Sequence, residues 1–285
     1  MANEIDTGVA AGVLYENISQ AAQYVFQENA MLRNLVTNYN MVGTPGLTAS
    51  IPVWPAATAV TALSAGADLS NDSALASVTA VDITAVEYGN MATVQDIVVE
   101  ASPSAVGADL GRQLGGALAQ AMDESIVDLF TSFTASVGSA GAEVTAATIM
   151  QAAAKLRAAG VPMQGAVCVL HPFQAYNVKV GLLNAGGSYG ASPDLANNAG
   201  REYFIGRIGG IDIYESASAD VDVNDDAIGA VFHPAAIGLV MKRDIRIATQ
   251  RDESLRGFEV VASAAWGAGI IDAAKGVKII GDAAL

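Results

Sequence analysis

Residues 186–190 read Gly-Gly-Ser-Tyr-Gly, the G-x-S-x-G spelling of a nucleophile elbow centred on Ser188. Asp residues follow, and then His233 in VFHPAAIGLV, so the chain order is Ser, Asp, His. In a serine hydrolase with that set, the imidazole takes the hydroxyl proton and the carboxylate orients the imidazole. The chemistry needs a strand before the serine and a helix after it, which hold the hydroxyl up in a strained turn. Here NVKVGLLNA precedes Ser188 and reads as helix, while ASPDLANN follows and cannot run on as helix past Pro193. The pentapeptide therefore reads as a glycine loop. A hydrolase at Ser188 is the different-class alternative.

The remaining reactive side chains give no stronger signal. The two histidines repeat a phrase, VCVLHPFQAYNV around His171 and GAVFHPAAIGLV around His233. Each lies at the end of an expected strand, and the proline after it suits a first helical turn. No His-x-x-His, His-Glu or cysteine cluster surrounds either one, so no metal site is read. Asp220, Asp222, Asp225 and Asp226 approach a calcium loop. However, Asp225 stands where that loop needs Gly, and no Glu closes it. They read as a solvated acidic loop. WGAGIID has a G-x-G without its third glycine. The single cysteine, Cys168 in AVCVL, excludes an intramolecular disulfide and reads as a small hydrophobe in a buried strand. No P-loop, zinc spacing or RNA-binding signature is present. The expectation is no catalytic residue, no cofactor and no enzyme.

The elements that would position such groups are more informative. The chain has 285 residues, 52% of them hydrophobic and only 15% charged, with a net charge of −15. That length suffices for one large or two modest domains with a sizeable core. No membrane span is expected, because uncharged stretches such as 158–178 are broken by Pro162, Gln164, His171 and Pro172. The acidic start MANEIDTGVA lacks the basic region of a secretory signal. Much apolar surface without a membrane suggests burial against other chains. The acidic balance argues against wrapping nucleic acid by phosphate neutralisation. Lys and Arg are absent from Asn34 to Gly111, while Lys242, Arg243, Arg246, Arg251 and Arg256 crowd a short late stretch.

Along the chain, 9–38 is partly helical in pattern, after an arm at 1–8. Residues 47–99 read as extended. They form a long two-stranded hairpin with its tip near Gly66–Asp72, its first strand placed on an edge by Pro52 and Pro55. Ser102 and Pro103 open a helix whose apolar face runs through Leu110, Leu114, Leu118, Ile126 and Phe133 to about Thr134. That is roughly 30 residues and about 45 Å. GSAGAE marks a boundary. Thr145 then caps a helix through Ile149, Met150, Ala153 and Leu156, ended by Gly160 and Pro162. AVCVL is a strand, HPFQAYNVKVGLL a helix, 185–202 a Gly- and Asn-rich loop, RIGGIDIYES a strand with a turn, and IGAVF a strand. The end reads as three strands, with a hairpin turn at Asp252–Gly257 and a last strand after Lys275–Gly276.

That order of elements, with RIGGIDIYES and the ending VVASAAWGAGIIDAAKGVKII, resembles the major capsid proteins of tailed bacteriophages, the HK97-like (Hong Kong 97) fold. The resemblance covers essentially the whole chain. It implies an α+β fold with an N-arm at 1–46, an extended E-loop at 47–88, and a P-domain strand and spine helix at 89–143. An A-domain at 144–242 and returning P-domain strands at 243–285 complete it. The implied function is structural: self-assembly into pentamers and hexamers that form an icosahedral head around double-stranded DNA, without sequence-specific binding. Implied partners are a separate scaffolding protein, a portal and a decoration protein, with no membrane. The implied location is the virion, after the host cytoplasm. An encapsulin-type cargo compartment is the alternative with the same fold. In some members an E-loop lysine cross-links to a neighbour; this E-loop contains none. Two sets of contact residues follow. Asp220, Asp222, Asp225 and Asp226 would ring the capsomer axis. Arg251, Asp252, Glu253 and Arg256, at a hairpin tip, would pair between subunits.

Overall fold

A computed structural model of the chain describes residues 22, 30–55, 62, 64–66, 77–97, 106–184 and 204–284. The glycine loop with Ser188, the Ser102–Pro103 helix start and most of the N-terminal helical pattern lie outside the described residues, as does most of the Gly66–Asp72 tip.

Two sheets carry the fold. The first has four strands in the order β1 (Thr37–Asn40), β10 (Ile237–Asp252), β11 (Gly257–Ile270) and β4 (Val86–Gln95). The second has six, in the order β5 (Ala135–Glu143), β12 (Gly276–Asp282), β9 (Asp226–Phe232), β6 (Val167–Leu170), β8 (Ile211–Glu215) and β7 (Phe204–Ile208). A separate antiparallel pair, β2 (Thr48–Val53) with β3 (Thr79–Thr84), forms the base of the expected hairpin, with Pro52 opposite Ala80. Its apolar side packs on the body through Ile51, Ile83 and Val240.

The long helix α1 (Val106–Val127) packs on one face of the four-stranded sheet. Leu114, Leu118, Met122 and Ile126 recur every four residues and are buried against Ile245, Ile247, Val260, Ala262 and Trp266. That stripe is what the sequence spacing demands of an amphipathic helix. The α-helix stops at Val127 rather than near Thr134, and a 3-10 turn, Asp128–Ser132, takes over. Side chains three apart eclipse in a 3-10 turn. Phe130 and Phe133 thus come onto one side and stack with Phe232 of β9, centroids 5.5–6.3 Å apart.

Helices α2 (Ala146–Ala158) and α3 (Pro172–Asn184) follow. Thr145 caps α2 through a capping box with Thr148. Ile149, Ala153 and Leu156 of α2 face the second core, which Cys168, Leu170, Ile211, Ile213 and Val231 share; Met150 points outward instead. The stretch expected as a boundary, GSAGAE, is part of strand β5. Gly138 and Gly141 there take φ of +83° and +70°, and the ladder to β12 shifts register between Ile280 and Asp282. Glycines that read as a break form an edge-strand bulge.

Candidate interaction surfaces

His171 and His233 do the same job. Nδ1 of His171 accepts the backbone N–H of Phe173 at 3.3 Å, and Nδ1 of His233 accepts that of Ala235 at 3.2 Å. Each imidazole caps a helical turn whose first residue is proline, which accounts physically for the repeated phrase. Burial pushes the His171 pKa down. Cys168 is fully buried in β6, and burial pushes its thiol up. Among the described residues, no group of three or more His, Cys, Asp or Glu is placed to hold a metal. No described helix is long and apolar enough to cross a membrane.

The acidic loop is an ordered turn rather than a loose one. Oδ1 of Asp222 accepts N–H groups from Asn224 at 2.7 Å and Asp226 at 2.9 Å. The bond from Asp226, then that from Asn224, holds this carboxyl below its ordinary range. Asp225 adopts φ +61°, and Val223 at the tip is 99% exposed. Asp220, Asp222 and Asp225 face solvent. Asp226 does not: it is buried and accepts the N–H of Gly141 from the β5 bulge at 2.7 Å. The expectation of four solvated carboxylates is corrected to three, because the glycine bulge needs an acceptor for its freed N–H.

At the β10–β11 turn, Oδ1 of Asp252 accepts from Ser254 N at 2.8 Å, Ser254 Oγ at 2.6 Å and Leu255 N at 3.3 Å. Arg251 meets Asp96 through two bonds of 2.9 and 3.2 Å, meets Glu253 at 2.8 Å, and lies 4.9 Å from the Phe258 ring centre. Its charge is thus engaged within its own chain. Arg256 is exposed at φ +47°, and its carbonyl accepts the N–H of Asp96. Among the described residues Arg33, Arg157, Arg246 and Arg256 make no ion pair, whereas every lysine is engaged. Lys179 pairs with Glu215 and Lys275 with Asp272; Lys155, Lys242 and Lys278 bind the carbonyls of Ser136, Thr44 and Thr131.

Sequence reasoning missed the exposed apolar set. Trp54, at the end of β2, is 66% exposed, Ile97 69% and Met91 56%. On the sheet face away from α1, Met91, Val261 and Ala248 align across β4, β11 and β10. It also missed Asp123, a carboxylate buried inside α1. Strand partners and burial decide these features, and neither is local in sequence.

Comparison with solved structures supplies the frame for these surfaces. The chain superposes on a structure from Mycobacterium phage Che8 with a TM-score of 0.70 and 24% identity, covering 87% of this chain and 90% of that one. The capsid of a native GTA particle matches at 0.68 and 14%, covering 89% and 90%. The capsid of the cyanophage P-SCSP1u matches at 0.65 and 16%, covering 88% of each. This chain has the Hong Kong 97 capsid fold. The match covers 87–89% of this chain in each of these structures. No protein-family model and no curated protein matches its sequence.

Proposed function

We propose that this chain is the subunit of a capsid shell. One observation carries the reading: the chain superposes on phage and GTA capsid structures over 87–89% of its length at TM-scores of 0.64–0.70. In this reading copies associate into pentamers and hexamers, which close into an icosahedral head around double-stranded DNA inside a virion. Residues 1–46 act as the N-arm, 47–88 as the E-loop and 144–242 as the A-domain. Residues 89–143 and 243–285 make the P-domain. The role is mechanical rather than catalytic, and the acidic balance suits a wall that confines DNA without gripping it. A separate scaffolding protein, a portal and a decoration protein are the expected partners.

The exposed apolar side chains support self-association. Trp54, Met91 and Ile97 are large, exposed, and set among residues with no Lys or Arg from 34 to 111. The direct test is electron microscopy with light scattering of the purified protein, alone and with its scaffolding protein. Closed shells or ring-shaped capsomers support the reading. A protein that stays monomeric under both conditions overturns it.

A further inference from the structure

Asp123 lies midway along α1 and is 5% exposed. Its Oδ1 accepts the backbone N–H of Leu32 at 3.2 Å, across 91 positions of sequence, and the N–H of Met31 also bonds it. Those N–H groups open the 3-10 turn Leu32–Leu35, whose own first residue supplies no side-chain cap. One carboxyl of α1 therefore caps a turn in a distant segment. Beyond that turn the segment is held by other means. Val36 sits in the core, β1 pairs with β10, and Thr37 Oγ1 donates to the Pro234 carbonyl at 2.9 Å.

A buried carboxyl ordinarily recruits a cation. Among the described residues, the charged and titratable groups on the elements packed around α1 are Arg33 on the 3-10 turn, Glu87 and Tyr88 on β4, Lys242, Arg243, Asp244, Arg246, Arg251 and Asp252 on β10, and Glu259 on β11. Asp109, Arg112 and Glu124 lie on α1 itself and Asp128 in the turn after it. None of them acts on the Asp123 carboxyl. Arg251 is held by Asp96, and Tyr88 stacks on Trp266 at 4.1 Å. Among the described residues only backbone N–H groups stabilise the charged form, in a site that desolvates it.

We propose that Asp123 is a proton-controlled clasp: neutral, it holds the turn at residues 31–35 against α1 more tightly than it does when ionised. Burial pushes this carboxyl up to about 7 from an ordinary 3.8. A raised value means the closed form keeps its proton where the open form has lost it. The clasp is then tightest below 3.8, weakens as pH rises towards about 7, and changes no further once both forms are ionised. Acidification tightens it. The device belongs to the single chain and stands whether or not the shell reading holds.

Hydrogen exchange on the full chain tests it, comparing wild type with Asp123→Asn, which keeps the acceptor and cannot ionise. Wild-type protection of residues 31–35 should fall by up to tenfold per pH unit from about pH 5 to about pH 7 and then level off. The Asn variant should hold the wild-type acid value throughout. Equal pH slopes in the two proteins, or no slope in wild type, would overturn the proposal. Should the variant not fold, the carbon-13 shift of the wild-type Asp123 carboxyl decides. A titration midpoint near 7 supports the clasp, and one below about 5 sinks it.

Discussion

Trp266 is the largest fully buried side chain. Its indole stacks on Tyr88, and its Nε1 donates to Ser125 Oγ at 3.0 Å, which in turn donates to the Met122 carbonyl. Trp266→Ala should cost about 3–5 kcal/mol, the range for a buried aromatic truncated in a packed core. Urea denaturation would measure it. Asp252 works at the end of β10 instead, half-buried. Its bonds from Ser254 and Leu255 hold its carboxyl below 3.8, so what it adds to the turn is present above that value and lost as pH falls through the lower folded one. Exchange of the Ser254 and Leu255 amides should quicken on that acid limb in wild type and show no such step in Asp252→Asn. The sequence announced turn chemistry at Asp252, because an Asp that accepts from the backbone two residues on is a local signal. It could not announce that Arg251 binds Asp96, a residue 155 positions away.

At the scale of elements, legibility follows range. The Thr145 cap, the Gly160 stop, the His-Pro turns and the β10–β11 turn all rest on contacts within a few residues, and each was readable. The placement of β12 between β5 and β9 rests on pairing with residues about 140 and about 50 positions earlier, respectively. No local pattern encodes it. The close approach of Ala22 to α1 was equally hidden. A Cβ on Gly115 of α1 would stand 2.4 Å from the Ala22 carbonyl oxygen, which is backbone and cannot rotate away. Gly115→Ala gains about 1 kcal/mol of helix propensity. The displaced backbone should cost more than that, about 1–3 kcal/mol. We expect net destabilisation and exposure of Ala22; denaturation and exchange near residue 22 would show it, and a stabilised variant would refute the close approach. The β10–β11 turn allows a cleaner separation of shape from charge. Arg256 has φ +47°, where glycine is at ease. Arg256→Gly should therefore fold at least as stably as wild type while removing a cation that has no partner among the described residues. If that cation meets a neighbour's carboxylate, the variant assembles poorly. Wild-type assembly by the variant would return the turn to solvent. Arg251→Ala should loosen the turn within one chain instead, since Asp96 and Glu253 lose their partner there.

For the whole molecule, the two tryptophans divide the labour of reporting. Trp266 lies in the core shared by α1 and the four-stranded sheet, so its surroundings change only when the fold does. Trp54 stands at the end of the β2–β3 hairpin, 66% exposed, away from the principal core. A large apolar ring so placed is costly in water, about 25 cal/mol for each Å² that burial removes. In the shell reading, self-association removes it. If the shell reading is right, assembly moves Trp54 from water into protein while Trp266 stays where it was. Intrinsic emission should then shift to the blue on assembly, and the shift should vanish in Trp54→Phe although that variant still scatters light as particles. Loss of assembly itself in Trp54→Ala, with circular dichroism unchanged, would show that the ring contributes energy to the contact as well as reporting it. An identical blue shift in wild type and Trp54→Phe would place the changing environment around Trp266, and assembly would then have to be understood as a repacking of the α1 core.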